Sequence, residues 1–165
     1  MMNVSTRLFK AQDYEEIAKI YNACSGLPPV SGEKFAESDK VRDPEEYFFR
    51  LIVEHNGTVK GFCRAIVPLE NGIRDEADLD IQIDPAARRL GLGKRVFQDA
   101  RESLLRDGMK TVTSPYCEDS PASACFVNAL GFLEYDRYWN TRLCLQEKEL
   151  PYLRDCMHGR KTRSR

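Results

Sequence analysis

Apolar and polar residues along this chain fall into two periods, and the switches between them lay out the elements. Ser5–Phe9 ("STRLF") reads as a short strand. Asp13–Cys24 ("DYEEIAKIYNAC") places Ile17, Ile20 and Tyr21 at helical spacing, and Asp13 with Glu16 makes a D-x-x-E start close to a capping box. "SGLPPVSG" ends that helix. Residues 33–50 ("EKFAESDKVRDPEEYFFR") form a weaker helical region, with Asp43-Pro44 suited to restart a helix. Residues 50–68 carry the clearest hairpin signal, two β-rich runs about Asn56-Gly57. A polar loop, "LENGIRDE", leads to "ADLDIQID" (77–84), where Asp78, Asp80, Gln82 and Asp84 alternate with Leu79, Ile81 and Ile83.

An amphipathic helix is expected over 91–108, with Val96, Phe97, Ala100, Leu104 and Leu105 on one face and Gly108 as its stop. "KTVTS" (110–114) reads as a strand and Ser120–Phe132 as a helix ending at Gly131. "FLEYD" (132–136) and "YWNTRLCLQ" (138–146) read as two closing strands. The order β-α-α-β-β-β-α-β-α-β-β predicts one α/β domain over residues 1–150. Residues 151–165 are expected to be a C-terminal extension with a basic, disordered tail.

Composition narrows the function classes. At 165 residues and 42% hydrophobic content the chain suits one domain with a core. The last eight residues, "HGRKTRSR", hold four Lys/Arg and no Asp/Glu; without them the formal net charge of −1 becomes −5. An acidic body argues against nucleic acid as the main partner. No apolar run approaches a membrane span, and "MMNVSTRLFKAQDYEE" lacks a signal-peptide core, so a cytoplasmic protein is expected. Cys24, Cys63, Cys117, Cys125, Cys144 and Cys156 are scattered with no C-x-x-C pair. They read as small apolar residues, and no metal site is expected.

The informative stretch is "DIQIDPAARRLGLGKRVF", Asp80–Phe97, where a strand turns into a helix. The P-loop pattern fails, since its first glycine position holds Arg88 and Arg95 follows Lys94. The dinucleotide fingerprint fails at Val96. What remains is R-x-x-G-x-G, Arg88-Arg89-Leu90-Gly91-Leu92-Gly93, followed by Lys94. Free N–H groups and the helix dipole favour an anion there, and bare glycines let phosphate oxygens approach the backbone. Gly93 is accordingly expected to stay bare for a ligand rather than for the core.

This pattern resembles the signature of the GNAT superfamily of acyl-CoA-dependent N-acyltransferases, Q/R-x-x-G-x-G/A after a strand ending in a V-x-P-like corner, here Ile83-Asp84-Pro85. The first helix, the Asn-Gly hairpin and "FVNALGFLEYDRYW" resemble the family in the same order, over roughly residues 5–146. The resemblance implies a mixed, mostly antiparallel sheet of about seven strands, with helices on both faces and a splayed parallel pair. It also implies acetyl-CoA as co-substrate and a primary amine, on a small molecule or peptide N-terminus, as acceptor. A homodimer is compatible with it.

By the same resemblance the pyrophosphate rests on Arg88–Lys94, and the pantetheine arm runs along Ile81, Gln82 and Ile83. The thioester lies where that strand splays from "KTVTS". Asp78, Asp80, Asp84 and Glu118 are the candidates to take the amine proton, Asp80 lying nearest. Where relatives carry a Tyr acid and an Asn, this chain has Val127 and Ser120. Ser120 and Ser123 share the expected CoA-facing side, and Tyr116, Ser123 or water is left to protonate the thiolate. That departure keeps a second reading open, a catalytically weak or inactive acyl-CoA-binding sensor. Glu33, Glu37, Asp39, Glu70, Asp75 and Glu76 lean toward a cationic acceptor, and Tyr135, Tyr138 and Trp139 toward an aromatic wall or sheet packing.

Overall fold

A computed structural model describes residues 3–25, 27–67, 75–116 and 120–137. The chain divides into two units, Met1–Gly131 and Phe132–Arg165. The first unit runs β1 (Val4–Leu8), a 3-10 turn (Ala11–Asp13), α1 (Tyr14–Ser25), α2 (Gly32–Lys40), β2 (Tyr47–His55) and β3 (Thr58–Val67). It continues with β4 (Glu76–Ile83), a second 3-10 turn (Pro85–Ala87), α3 (Leu92–Arg106), β5 (Thr111–Thr113) and α4 (Pro121–Ala129).

The strands lie in sequence order, β1-β2-β3-β4-β5. All pairs are antiparallel except β4–β5, which is parallel. The Asn56-Gly57 turn has positive φ at both residues, as a tight hairpin requires. One sheet face is covered by α3, whose Leu92, Val96, Ala100 and Leu104 recur every four residues and are each at most 1% exposed. Burial of each such aliphatic side chain stabilises the fold by roughly 1.5–3 kcal/mol. The other face is covered by α1, with Ile17 and Ile20 packed on Ile52 of β2 and Phe62 of β3.

Helix α2 is held differently. Ser31 caps it, accepting from the Lys34 N–H at 3.3 Å, but Phe35 is its only large apolar side chain. Its anchor is Asp39, which accepts from Arg42 at 2.7 Å, from Arg50 at 2.9 Å and from the Tyr14 hydroxyl at 2.9 Å. Arg50 is 4% exposed, so the pair is mostly desolvated.

Five expectations from the sequence give way. Tyr47–Arg50 belong to β2, not to a helix; after the turn closed by the Glu46 N–H on the Asp43 carbonyl, the aromatic run gains more by pairing with Ala65–Val67. Asp13 does not cap α1 toward Glu16; its carboxylate turns back to Arg7 and to the Lys10 N–H at 2.8 Å. Leu105 is 52% exposed, since the buried stripe continues through Leu104. The sheet has five strands among the described residues, not seven. "FLEYD" is not a strand: it has no ladder partner among the described residues, and Leu133 and Tyr135 are exposed. The last expected strand, the domain boundary at 150 and the basic tail lie outside the described residues. In the second unit, Glu134 and Arg137 form an ion pair at 2.5 Å. No helix among the described residues is long and apolar enough to cross a membrane.

The Arg7–Asp13 pair ties β1 to the start of α1 and gives the fold a defined acid response. Hydrogen bonding from Arg7 outweighs burial and holds the Asp13 carboxyl below its ordinary value. Such a group stabilises the fold above its unfolded value of ~3.9, and this is lost as pH falls through the lower folded value. Asp13→Asn is expected to cost roughly 1.5–3 kcal/mol at pH 7, the range for hydrogen bonds to a charged group. It should also flatten the dependence of urea-unfolding free energy on pH below ~4. An unchanged pH dependence in the variant would locate the acid response elsewhere.

Candidate active site

The candidate site is built where β4 loses one neighbour. β4 pairs with β5 only through Glu76, Ala77 and Asp78, the last opposite Thr113. Its antiparallel pairing with β3 continues to Ile83. The Asp84 N–H donates to the Lys60 carbonyl of β3 at 2.9 Å. Backbone direction alternates along a strand, so Gln82 and Asp80 also turn their N–H and C=O toward β3. Ile81 and Ile83 therefore direct theirs to the opposite edge, beyond the last rung of β5. There the Ile83 carbonyl accepts from Arg88 Nε at 3.3 Å and from Cys24 Sγ at 3.3 Å.

The strand-to-helix turn follows directly. Asp84 caps the 3-10 turn, accepting from the Ala86 N–H at 2.9 Å, and pairs with Lys60 at 3.1 Å. Ala87 and Leu92 sink into the core on either side of the exposed Arg88, Arg89 and Leu90. Arg89 and Gly91 have positive φ. Gly91 is the N-cap of α3, and no side chain caps the helix. The first intrahelical bond runs from the Arg95 N–H to the Gly91 carbonyl. Leu92, Gly93 and Lys94 thus present N–H groups with no intrahelical acceptor, at the positive end of the helix dipole. Beside Arg88, Arg89 and Lys94 this turn is chemically fitted to an anion such as a phosphate.

The two glycines have different roles. At Gly91 the positive φ requires glycine, and a Cβ would meet nothing within 4 Å. At Gly93 a Cβ would lie 2.9 Å from the Phe126 ring of α4. Its bareness admits a neighbouring helix, not only a ligand.

The β4 face toward α1 carries the candidate bases. Asp80 accepts from the Gln82 side chain at 2.8 Å and lies 3.8 Å from Arg64 of β3. Gln82 is thereby engaged with Asp80. Asp78 is exposed and accepts from the Thr113 hydroxyl. Asp84 is held by Lys60 and its own turn, with its carboxyl lowered by the Ala86 N–H first and Lys60 second. Tyr116, past the end of β5, is 39% exposed. Glu118 lies outside the described residues.

On α4, Ser120 is the N-cap and its hydroxyl meets that of Ser123 at 2.8 Å. Val127 is buried. Leu92 contributes its backbone to the turn and its side chain to the core. Cys24 and Arg64 stand at this site without having been singled out in the sequence. Both depend on pairings across 59 and 16 positions of chain, which no local signal in the sequence marks. Burial raises the Cys24 thiol, partly offset by Arg88, which keeps it a donor to Ile83. Cys63 is fully buried and pushed up to about 12 by desolvation, so it is no nucleophile. Among the described residues no group of side chains is arranged to hold a metal ion.

The sequence profile described as "Acetyltransferase (GNAT) family" matches residues 14–132. The chain belongs to the GNAT acetyltransferase family. No curated protein matches it significantly by sequence. Among solved structures, an acetyltransferase of Trypanosoma brucei is 23% identical with a TM-score of 0.67, over 86% of this chain and 100% of its own. The ribosomal-protein-S18-alanine N-acetyltransferase of Escherichia coli is 21% identical with a TM-score of 0.65, over 81% and 80%. The aminoglycoside acetyltransferase AAC(6')-Iy, bound to a CoA-S-monomethyl-acetylneamine bisubstrate analogue, is 19% identical with a TM-score of 0.66, over 86% and 99%. At these identities the likenesses bear on the fold of this GNAT chain: an open sheet ending in a parallel pair.

The contact at Gly93 yields a test on this GNAT fold. Gly93→Leu is expected to lower unfolding free energy by about 1–3 kcal/mol through overpacking on Phe126. Adding Phe126→Ala should recover part of that loss in urea melts. A Gly93→Leu chain as stable as the parent would show that α4 does not rest on the first turn of α3.

Proposed function

We propose that the chain is an N-acetyltransferase that transfers an acetyl group from acetyl-CoA to a primary amine by direct attack, in the cytoplasm. The observation that carries this is the uncapped start of α3 joined to the open edge of β4. The Leu92, Gly93 and Lys94 N–H groups, with Arg88 and Arg89, would hold a pyrophosphate; the Ile81 backbone and the Ile83 N–H would pair with an amide-bearing arm. Acetyl-CoA, when bound, supplies an activated thioester. The rest is done by the chain's own groups.

An N–H on the free edge of β4 polarises a carbonyl laid along it. A lysine-like amine with pKa ~10.4 is neutral in only about 0.04% of molecules at pH 7, a cost of about 4.6 kcal/mol. Asp80 or Asp78, on the face beside the opening, would receive the amine proton directly or through water. The C–N bond forms, the C–S bond breaks, and the sulfur leaves as thiolate. With Val127 buried where relatives have an acid, water or the exposed Tyr116 protonates it; Ser120 and Ser123 are engaged in capping α4. Val127 also favours the alternative, an acyl-CoA-binding sensor of the same fold.

Acetyl-CoA at millimolar concentration is expected to raise Tm, with ATP and NAD giving smaller shifts. Free-thiol release across an amine panel then separates enzyme from sensor. A Tm unmoved by acetyl-CoA would remove both readings. A shift without thiol release on any amine leaves the sensor alone.

With water as the acid, Tyr116→Phe is expected to lower kcat less than tenfold, short of the ~10²–10⁴-fold that a lost general acid costs. A loss of a thousandfold with intact acetyl-CoA affinity would make Tyr116 the acid.

A further inference from the structure

The sheet face toward α1 changes character one row beyond the core. Ile52 and Phe62 are opposite each other and buried. The next row, two residues along, reads Arg50, Arg64 and Asp80 across β2, β3 and β4. The row after that reads Phe48, Ile66 and Asp78, and Asp78 is where β4 leaves β5. The Arg50–Arg64–Asp80 row therefore lies just beyond the last β4–β5 rung, at the opening.

Its two arginines are not equivalent. Arg50 is 4% exposed, with Asp39 at 2.9 Å. Arg64 has a side chain 39% exposed. Its side chain forms a loose ion pair with Asp80 at 3.8 Å and makes no side-chain hydrogen bond to any described residue. Asp80 already accepts from Gln82. The guanidinium fork, turned to Asp80, has no hydrogen-bonded acceptor among the described residues.

We propose that Arg64 recognises the acceptor, and that the acceptor is an amine bearing a carboxylate, a free α- or β-amino acid. This rests on the acyl-transfer reading above. A planar guanidinium takes a carboxylate through two parallel hydrogen bonds. Arg50 and Arg64 stand directly opposite, and like charges so placed repel. Asp39 holds the first at 2.9 Å, Asp80 holds the second only loosely at 3.8 Å, and an incoming carboxylate would give it the hydrogen-bonded partner it lacks. Arg64 and Asp80 are neighbours across adjacent strands, ~4.8 Å apart. A ligand giving its carboxylate to one and its amine to the other must be short, as an amino acid is and a polyamine is not. Of the carboxylates that would draw a polycation, three are already engaged: Glu37 with Lys34, Asp39 with Arg42 and Arg50, Asp75 with Lys110.

The test is acetyl transfer from acetyl-CoA, followed by thiol release, on amino acids and their matched α-amides, a linear polyamine and an aminoglycoside. The acids are expected to show KM at least about tenfold below their amides, and Arg64→Gln to raise KM for the acids at least tenfold. Arg64→Gln should move KM for the amides less than about twofold, and Arg64→Lys should restore part of the acid preference. If Arg64→Gln fails to fold, Arg64→Lys carries the comparison, since it keeps the charge and loses the fork. Equal or lower KM for amides, polyamine or aminoglycoside, or an acid KM indifferent to both Arg64 variants, overturns the inference. Acetyl-CoA binding, read by Tm, separates the failures. No shift removes the acyl-transfer reading and this inference with it. A shift with turnover only on amines lacking a carboxylate removes this inference alone.

Discussion

A strand inside a sheet must satisfy two rows of backbone groups, and β4 satisfies one of them along only part of its length. Its partner on that side, β5, is three residues long. Everything described at the site follows from that short partner. Beyond Asp78 the outer row of β4 needs acceptors and donors from elsewhere. At its end Ile83 takes them from Cys24 and Arg88, tying the end of α1 and the turn to the strand. The remaining backbone at Ile81 is where the extended ligand of the proposed function would add itself as a strand does.

The two faces of the sheet are stabilised by different physics. Under α3 the contacts are aliphatic and nearly dry. Under α1 and α2 an aliphatic patch gives way to paired charges, with Arg42 stacked 3.6 Å over the Phe48 ring and Arg50 over Phe9 at 4.7 Å. Helix α2 adds little apolar surface, so its position depends on the Asp39 ion pairs. Arg50 Nε is buried without an acceptor, a cost that the two Nη bonds to Asp39 offset. Screening by salt is weak at such a site, because one partner is almost entirely out of water.

Much of this was legible in the sequence, for identifiable reasons. The hairpin rested on Asn-Gly, whose backbone preference is local. Helix α3 rested on a period that packing on one face rewards directly. The anion-fitted turn was legible because glycine and arginine placement there answers to backbone geometry. Features set by distant partners were not legible. Tyr47–Arg50 look helical beside Pro44 and become strand only because Ala65–Val67 wait opposite. The bareness of Gly93 reads as space for a phosphate until the direction of its missing Cβ, toward Phe126, is known. Asp80 reads as a free carboxylate until Gln82 and Arg64 are seen to face it.

The turn between β4 and α3 is fastened at both ends by buried residues, Ala87 and Leu92, while the span between them is exposed. Leu92 is at once a core side chain and the owner of an N–H at the helix opening. The protein's most solvent-facing functional geometry is thus inherited from its interior. A methylene added or removed beneath Leu92 would re-aim the turn without touching anything that binds there. Variation that elsewhere would change only stability would, at this one position and on the proposed function, reach recognition.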